Sequence, residues 1–511
     1  MRHAVFLKNA AVLTVTSLIL RTVGIGFRIF LADKLGAEGM GLYQLIISVY
    51  VLGSTFATSG ISTAVTRLVA DEAVCGTARS IRHILYRSLL LSITIGLLST
   101  AVIYGGADLI SVYAIRDVRA APALRMLSFS LPSMGISSCL RGYLIARRKA
   151  AGSSYAQLLE QGVRIGVIAL LIDRCAAKGL AAACAAVMLG DTIAEWVSCG
   201  YLALRYEWDA RRMRQELPSH TQHTKQPVMR RLLSIAVPIT AGRYLNTALR
   251  TVENILVPNS LAKYSGKTEQ GLAEFGALKG MALPLIFFPA SFLSALSTLL
   301  IPEISAANAL NQQGKINRAV ERTLQITLLS SILIGTVFFN FADEIGMVLY
   351  HDPNVGRYLA VLAPLTPIMY TESLVDGILK GLNQQVSSLR YSVEDSALRI
   401  VLIILLVPKF GMKGFLFIML VSNVMTSFLN THRLLTVTGV RIQWYKWVLG
   451  PLLGAITSMS LTQLVCRLPY FLHIQGIVQI VLGTLCLCGG YLFSLWLLGC
   501  VRPSELQKRL A

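Results

Sequence analysis

Four arginines sit inside apolar sequence: Arg21 and Arg28 near the start, and Arg243 and Arg250 near the middle. Each pair is seven residues apart. Seven residues are close to two turns of α-helix, so each pair lies along one stripe of its helix. A guanidinium group offers a planar fork of donors that suits phosphate and carboxylate oxygens. Holding one at bilayer depth costs about 2.5–3.5 kcal/mol on insertion scales. Hydrocarbon supplies no partner, so such an arginine faces a wet cavity, an acidic side chain or an anion. Glu253, three residues after Arg250, is one acidic neighbour. The competing reading is a long side chain that reaches out to the interface, and it applies best to Arg28, near a helix end. On the cavity reading, the sign of the charge predicts an anionic substrate.

A second set of charges pairs acid with base. Glu160 precedes Arg164 by four residues, and Asp395 precedes Arg399 by four. Residues four apart meet on one helix face, and acid before base is the favourable order. These pairs read either as structural locks that neutralise a charge inside the membrane or as direct substrate contacts. Further carboxylates in apolar surroundings are Asp191, Glu195, Glu253, Glu372 and Asp376. Such groups are what proton or sodium coupling would use.

The elements that carry these residues are long and apolar. The chain has 511 residues, of which 54% are hydrophobic and only 14% charged, with a mean hydropathy of +0.61. Soluble globular chains carry roughly 25% charged residues. Apolar runs of about 20 residues, the length that crosses a bilayer as a helix, recur from end to end. Fourteen spans are expected, at about 10–31, 41–63, 84–106, 123–145, 153–173, 179–203, 233–257, 275–300, 324–349, 358–379, 388–407, 413–435, 447–466 and 475–499. The basic Met1–Lys8 end followed by an apolar run resembles a signal peptide. Arg21 and Arg28 interrupt that run, and it reads as a retained first helix.

Net charge is +21, but nucleic acid is not the partner it implies. Lys and Arg gather in alternate loops, as membrane orientation requires. With the N-terminus inside, one side collects Arg79, Arg82 and Arg87, then Arg147, Arg148 and Lys149. It also collects the loop Arg205–Arg231, then Arg433, Arg441 and Lys446, and the Arg502–Arg509 tail. The other side has single or paired cations such as Lys34, Arg174, Lys178 and Lys409. Both termini are therefore expected in the cytoplasm of a multi-pass cell-membrane protein. Nine cysteines are scattered without a C-x-x-C pair, and they read as small packing residues. His220-x-x-His223 has no Cys or acidic company at zinc spacing, so no metal and no cofactor is expected.

The chain repeats itself. At an offset of 235 residues Gly142 meets Gly377, Glu160 meets Asp395, Arg164 meets Arg399, and Lys178-Gly179-Leu180 meets Lys413-Gly414-Phe415. An offset that spans six helices keeps orientation, so the repeat is parallel, one of the two arrangements known in transporters. The expected division is a six-helix lobe at 1–204, a basic linker at 205–231, a second six-helix lobe at 232–440, and two extra helices with a tail at 441–511. The fold class is all-α integral membrane.

Several segments in order resemble a known family. They are R-I-F-L-A-D-K-L-G-A-E-G-M-G-L-Y-Q-L at 28–45, L-P-S-M-G-I-S-S-C-L-R-G-Y at 131–143 and Q-L-L-E-Q-G-V-R-I at 157–165. A-V-P-I-T-A-G-R at 236–243, G-M-A-L-P-L-I-F-F-P at 280–289 and L-I-P-E-I-S at 300–305 follow. Together they resemble the multidrug/oligosaccharidyl-lipid/polysaccharide exporter superfamily, in its stage V sporulation protein B branch. The resemblance implies a bilobed MATE- and MurJ-like core of twelve helices with two added. It implies movement of an undecaprenyl-pyrophosphate-linked sugar, of peptidoglycan or polysaccharide and associated with the spore cortex, to the outer leaflet. Membrane lipids surround such a protein, and cell-wall synthases are candidate partners. Arg21 and Arg28 resemble first-helix arginines of MurJ-type lipid II flippases, which are spaced one residue closer. Leu42 stands where those proteins place an acid.

Two other classes bear weighing. A cation-coupled drug exporter of the same superfamily would use the membrane carboxylates. A membrane-embedded glycosyltransferase would need a sizeable outer loop or a D-x-D cluster beside one, and neither is evident. The chain therefore reads as a transporter and not an enzyme.

Overall fold

The computed structural model describes residues 2–75, 77–216, 228–310, 312–466 and 476–500. Among these residues there is helix and no strand. Hydrocarbon leaves no alternative for segments of this kind, because each backbone polar group must be satisfied within its own helix. The helices are α1 Arg2–Cys75, α2 Ala78–Leu109, α3 Ala120–Ser128, α4 Leu131–Ala146, α5 Ala150–Ala176 and α6 Leu180–Glu216. Next come α7 Val228–Ser265, α8 Thr268–Phe275, α9 Leu283–Ala309, α10 Gln313–Asn340 and α11 Ala342–Tyr350. The last are α12 Pro353–Leu362, α13 Thr366–Gly381, α14 Gln385–Thr438, α15 Gly450–Cys466 and α16 Ile477–Leu497.

Among the described residues, ten helical segments are long and apolar enough to cross a membrane. Two of them are bent within. The 74-residue α1 turns at Gly36, with φ 67° and ψ 179°. The 54-residue α14 turns at Gly411, with φ 58° and ψ −141°. Each bend separates two of the expected spans. Helix α7 is 38 residues long but falls short on apolarity, because Arg243, Asn246, Arg250 and Glu253 interrupt it. All fourteen expected spans lie on helices or on consecutive helices, which is compatible with that count.

The structure corrects one boundary. The polarity of the stretch from Arg205 predicts a loop, yet α6 continues to Glu216. The reason is local. Glu207 and Arg211 form an i,i+4 pair at 3.4 Å, and Asp209 docks onto α4 by accepting from the Tyr143 hydroxyl at 2.6 Å. The linker's two histidines, His220 and His223, lie outside the described residues.

Two compact units emerge, one of residues 1–263 with 267–276 and the other of 264–266 with 277–511. Helix α7 goes with the first. Its Thr240, Thr247, Thr251 and Asn254 bond to Gly60, Thr55 and Ser48 of α1, and its Tyr244 ring packs edge-on against Phe56.

The 235-residue repeat extends well beyond the matching side chains. Helices α4 and α13 are both 16 residues long and start 235 apart. So do α2 and α10, at Ala78 and Gln313. Left-handed backbone recurs in the same register without glycine, at Arg116 and His351 and again at Arg148 and Asn383. After the first of these turns, Asp117 accepts from the Arg119 amide at 2.9 Å. Asp352 accepts from the Asn354 amide at 2.8 Å, again 235 residues on. Core positions follow. Leu140, Tyr143 and Leu144 are buried in the first unit, and Val375, Ile378 and Leu379 in the second.

Packing rather than water exclusion holds such units together, since lipid is as apolar as leucine. The outer surface accordingly shows Leu98, Val102, Leu170 and Phe428 more than 60% exposed. Gly36 occupies a region of backbone space that is essentially glycine-only, where another residue costs about 1–3 kcal/mol. Gly36→Ala is expected to lower the thermal unfolding midpoint of detergent-purified protein. Gly162→Ala, on open helix surface with nothing within 4 Å of the added carbon, should leave it unchanged or raise it slightly. Equal midpoints for the two variants would show that the bend does not need glycine.

Candidate functional site

The first unit buries a constellation of charges between α4, α5 and α6. On α5, Glu160 and Arg164 are paired at 3.1 Å. Arg141 of α4 reaches the other oxygen of Glu160 at 2.7 Å. Arg164 also lies 2.6 Å from Asp191 of α6. Its Nε has no hydrogen-bond alignment there, so that contact is mainly Coulombic. The Arg164 Nη1 donates to Gln161 at 2.8 Å. Glu195, one turn beyond Asp191, is 6% exposed, and its Oε1 is buried with no hydrogen-bond partner. Two guanidinium groups thus face three carboxylates.

The helices can come this close for a stated reason. A β-carbon on Gly190 would meet the Ile168 side chain at 2.3 Å. Glycine at 190 therefore lets α6 approach α5 one residue before Asp191. The face of α6 does the rest, because Asp191, Glu195 and Ser198 are spaced four and three residues apart and share one stripe.

In the second unit the register persists and the chemistry changes. Arg399 lies 4.0 Å from Asp395, whose Oδ1 accepts from Ser422 at 2.5 Å. Thr426 stands where the first unit has Asp191, and Asp376 stands where it has Arg141. Asp376 is held by Lys380 at 2.5 Å and by the hydroxyl of Ser388.

The two arginine stripes are disposed as follows. Arg21, Arg243 and Arg250 are exposed, and Arg28 is half-buried. Tyr43 lies within electrostatic range of Arg28 as well as of Arg164 and Asp191. Arg243 and Arg250 each immediately precede a residue of α7 that packs on α1, Tyr244 and Thr251 respectively. They therefore flank the packed stripe. Glu253 is buried. Among the described residues no ion pair takes up Arg243 or Arg250. Sequence reasoning missed Arg141 as the second partner of Glu160, although the cation of L-R-G-Y inside an apolar span was a visible signal.

Long apolar helices with charges held between them define an integral membrane protein. The chain belongs to the polysaccharide biosynthesis protein family, whose model matches residues 6–308. It is 26% identical over 453 residues to stage V sporulation protein B of Bacillus subtilis (strain 168), covering 88% of this chain and 87% of that one. Its fold is similar to that of the lipid II flippase MurJ in an inward closed conformation. The TM-score is 0.68 at 14% identity, over 93% of this chain and 97% of that chain. It is also similar to a multidrug resistance MATE family transporter in an inward-facing conformation. There the TM-score is 0.64 at 13% identity, over 83% of this chain and 98% of that chain. The protein is a multi-pass membrane protein of the polysaccharide biosynthesis family.

Removing one member of a buried ion pair leaves its partner uncompensated, which costs about 3–5 kcal/mol when burial is complete. Arg164→Ala is expected to reduce the yield of folded protein more than transport per folded molecule. Adding Asp191→Asn should recover part of the yield. Quantitative immunoblotting of the membrane fraction with thermal melts checks this. Normal yield with abolished transport would instead place Arg164 on the substrate.

Proposed function

We propose that this protein moves an undecaprenyl-pyrophosphate-linked sugar, a peptidoglycan or polysaccharide precursor, across the cytoplasmic membrane by alternating access. The observation that carries the reading is the exposure of Arg243 and Arg250 in mid-helix without an ion-pair partner among the described residues. An arginine at that depth is stable only beside water or an anion. Arg21 and Arg28 carry the same spacing on α1, and the four together supply the convergent donors that a diphosphate requires. The family's tie to polysaccharide biosynthesis supplies the class of cargo, and the likeness to stage V sporulation protein B makes a spore-cortex precursor the first to test.

In this reading 1–204 and 232–440 act as the two transport lobes, joined by the basic stretch 205–231, whose first part continues α6 to Glu216. The segment 441–511 adds two helices and a tail, both termini are cytoplasmic, and a cell-wall synthase receives the product. Glu160, Arg164, Asp395 and Arg399 serve as structural charges. Asp191 and Glu195 form the part of the cluster suited to coupling, because the third carboxylate has no third guanidinium beside it.

That surplus carboxylate also favours a second reading, a cation-coupled multidrug exporter. The two readings differ in cargo. Reconstituted protein should flip lipid II or another polyprenyl-linked sugar in liposomes and should not extrude a cationic dye. Arg243→Lys keeps the charge but loses the fork, so it should retain part of the flipping rate. Arg243→Ala should lose nearly all of it at equal expression. Intact flipping after replacement of all four arginines in well-folded protein would falsify the anionic-substrate reading and leave the drug exporter.

A further inference from the structure

The far end of α6 carries a feature that transport does not use. A cavity of about 300 Å³ is lined by Lys149, Arg205, Trp208, Asp209, Arg211 and Arg212, with Leu144 as its apolar wall. Four cations therefore surround one carboxylate. That carboxylate is already engaged, since Asp209 is buried and receives Lys149, the Tyr143 hydroxyl at 2.6 Å and Arg147 at 3.4 Å. Arg211 has a loose, exposed pairing with Glu207 at 3.4 Å. Among the described residues no acid pairs with Arg205 or Arg212. The Arg205 guanidinium sits over the Trp208 ring, 6.0 Å from its centroid, which fixes one donor fork at the rim of the cavity.

Its depth follows from helix geometry. Helix α6 has 37 residues, or roughly 55 Å at 1.5 Å per residue, against a hydrocarbon core of about 30 Å. Lys178-Gly179 marks where it enters. Arg205 is then about 38 Å along, past the acyl chains and among the headgroups. Trp208 is 59% exposed and Leu204 61% exposed, an aromatic and an apolar surface beside the cations. Tryptophan favours the interfacial level.

We infer that this cavity is a binding site for the phosphate of an anionic membrane lipid, with Arg205 and Arg212 as the donors and Trp208 against the lipid's glycerol and upper acyl region. The shared chemistry is a phosphate anion, which a lipid headgroup or free phosphate could supply. Cations at a membrane surface are worth about 1 kcal/mol each toward anionic lipid, or about fivefold in affinity.

The test uses the full chain in detergent micelles, titrated with phosphatidylglycerol, phosphatidylcholine or inorganic phosphate and read by native mass spectrometry. Phosphatidylglycerol should be retained at least about fivefold better than phosphatidylcholine. Arg205→Ala with Arg212→Ala should reduce that retention by about 25-fold, while Arg390→Ala, on an exposed face of α14, should not. Displacement of the lipid by low-millimolar inorganic phosphate would assign the site to the free anion, and resistance to it assigns the site to the headgroup. Should the double alanine variant not fold, the lysine pair Arg205→Lys and Arg212→Lys keeps the charge. The comparison of the three ligands on the parent protein then decides. Equal retention of both lipids together with no effect of phosphate overturns the inference.

Discussion

A charge taken into hydrocarbon must bring its partner with it. That constraint organises the first unit of this protein. Burying an ion costs several kcal/mol even after relaxation, and the interior repays it only where geometry is close. Arg164 is drawn onto Glu160 and Asp191, and Arg141 onto the remaining oxygen of Glu160. These contacts tie α4, α5 and α6 at one level. They also explain a glycine, because without the close approach at Gly190 the α6 carboxylate could not reach across. The helices are thus positioned by their charges as much as by their apolar faces, which would pack nearly as well against lipid.

The same constraint separates two kinds of arginine. Arg141 and Arg164 are neutralised within the unit, and they act through the carboxylates they hold. Arg243 and Arg250 are exposed and outside any ion pair among the described residues, so their counter-charge must come from elsewhere. A substrate that delivers its own negative charge meets that need only while it is bound. On the proposed function, the energetic cost of those arginines in the empty protein is what makes a diphosphate welcome.

Much of this was legible in the sequence. Apolar length gave the helices, and the acid–base spacings at 160–164 and 395–399 gave pairs that do meet. Other features were not legible. The continuation of α6 through Arg205–Glu216 was hidden by polarity, which loops and surface helices share. Arg141 was visible as a cation in an apolar span, but its partner lies 19 residues away on another helix, and spacing along one helix cannot reveal that. The repeat was readable only where side chains survived, from Gly142 to Lys178-Gly179. The backbone carries it back to Ala78.

Arg116 and His351 share a left-handed turn, as do Arg148 and Asn383, although the residues have diverged and none is the glycine such turns favour. The bends recur where the side chains differ. An ancestral half-length chain, copied once, would have handed each copy the same frame of turns and helix lengths. The chemistry was then free to drift, and Arg141 and Asp376 now hold opposite charges at one address. Duplication left one scaffold written twice, and its two copies are no longer interchangeable.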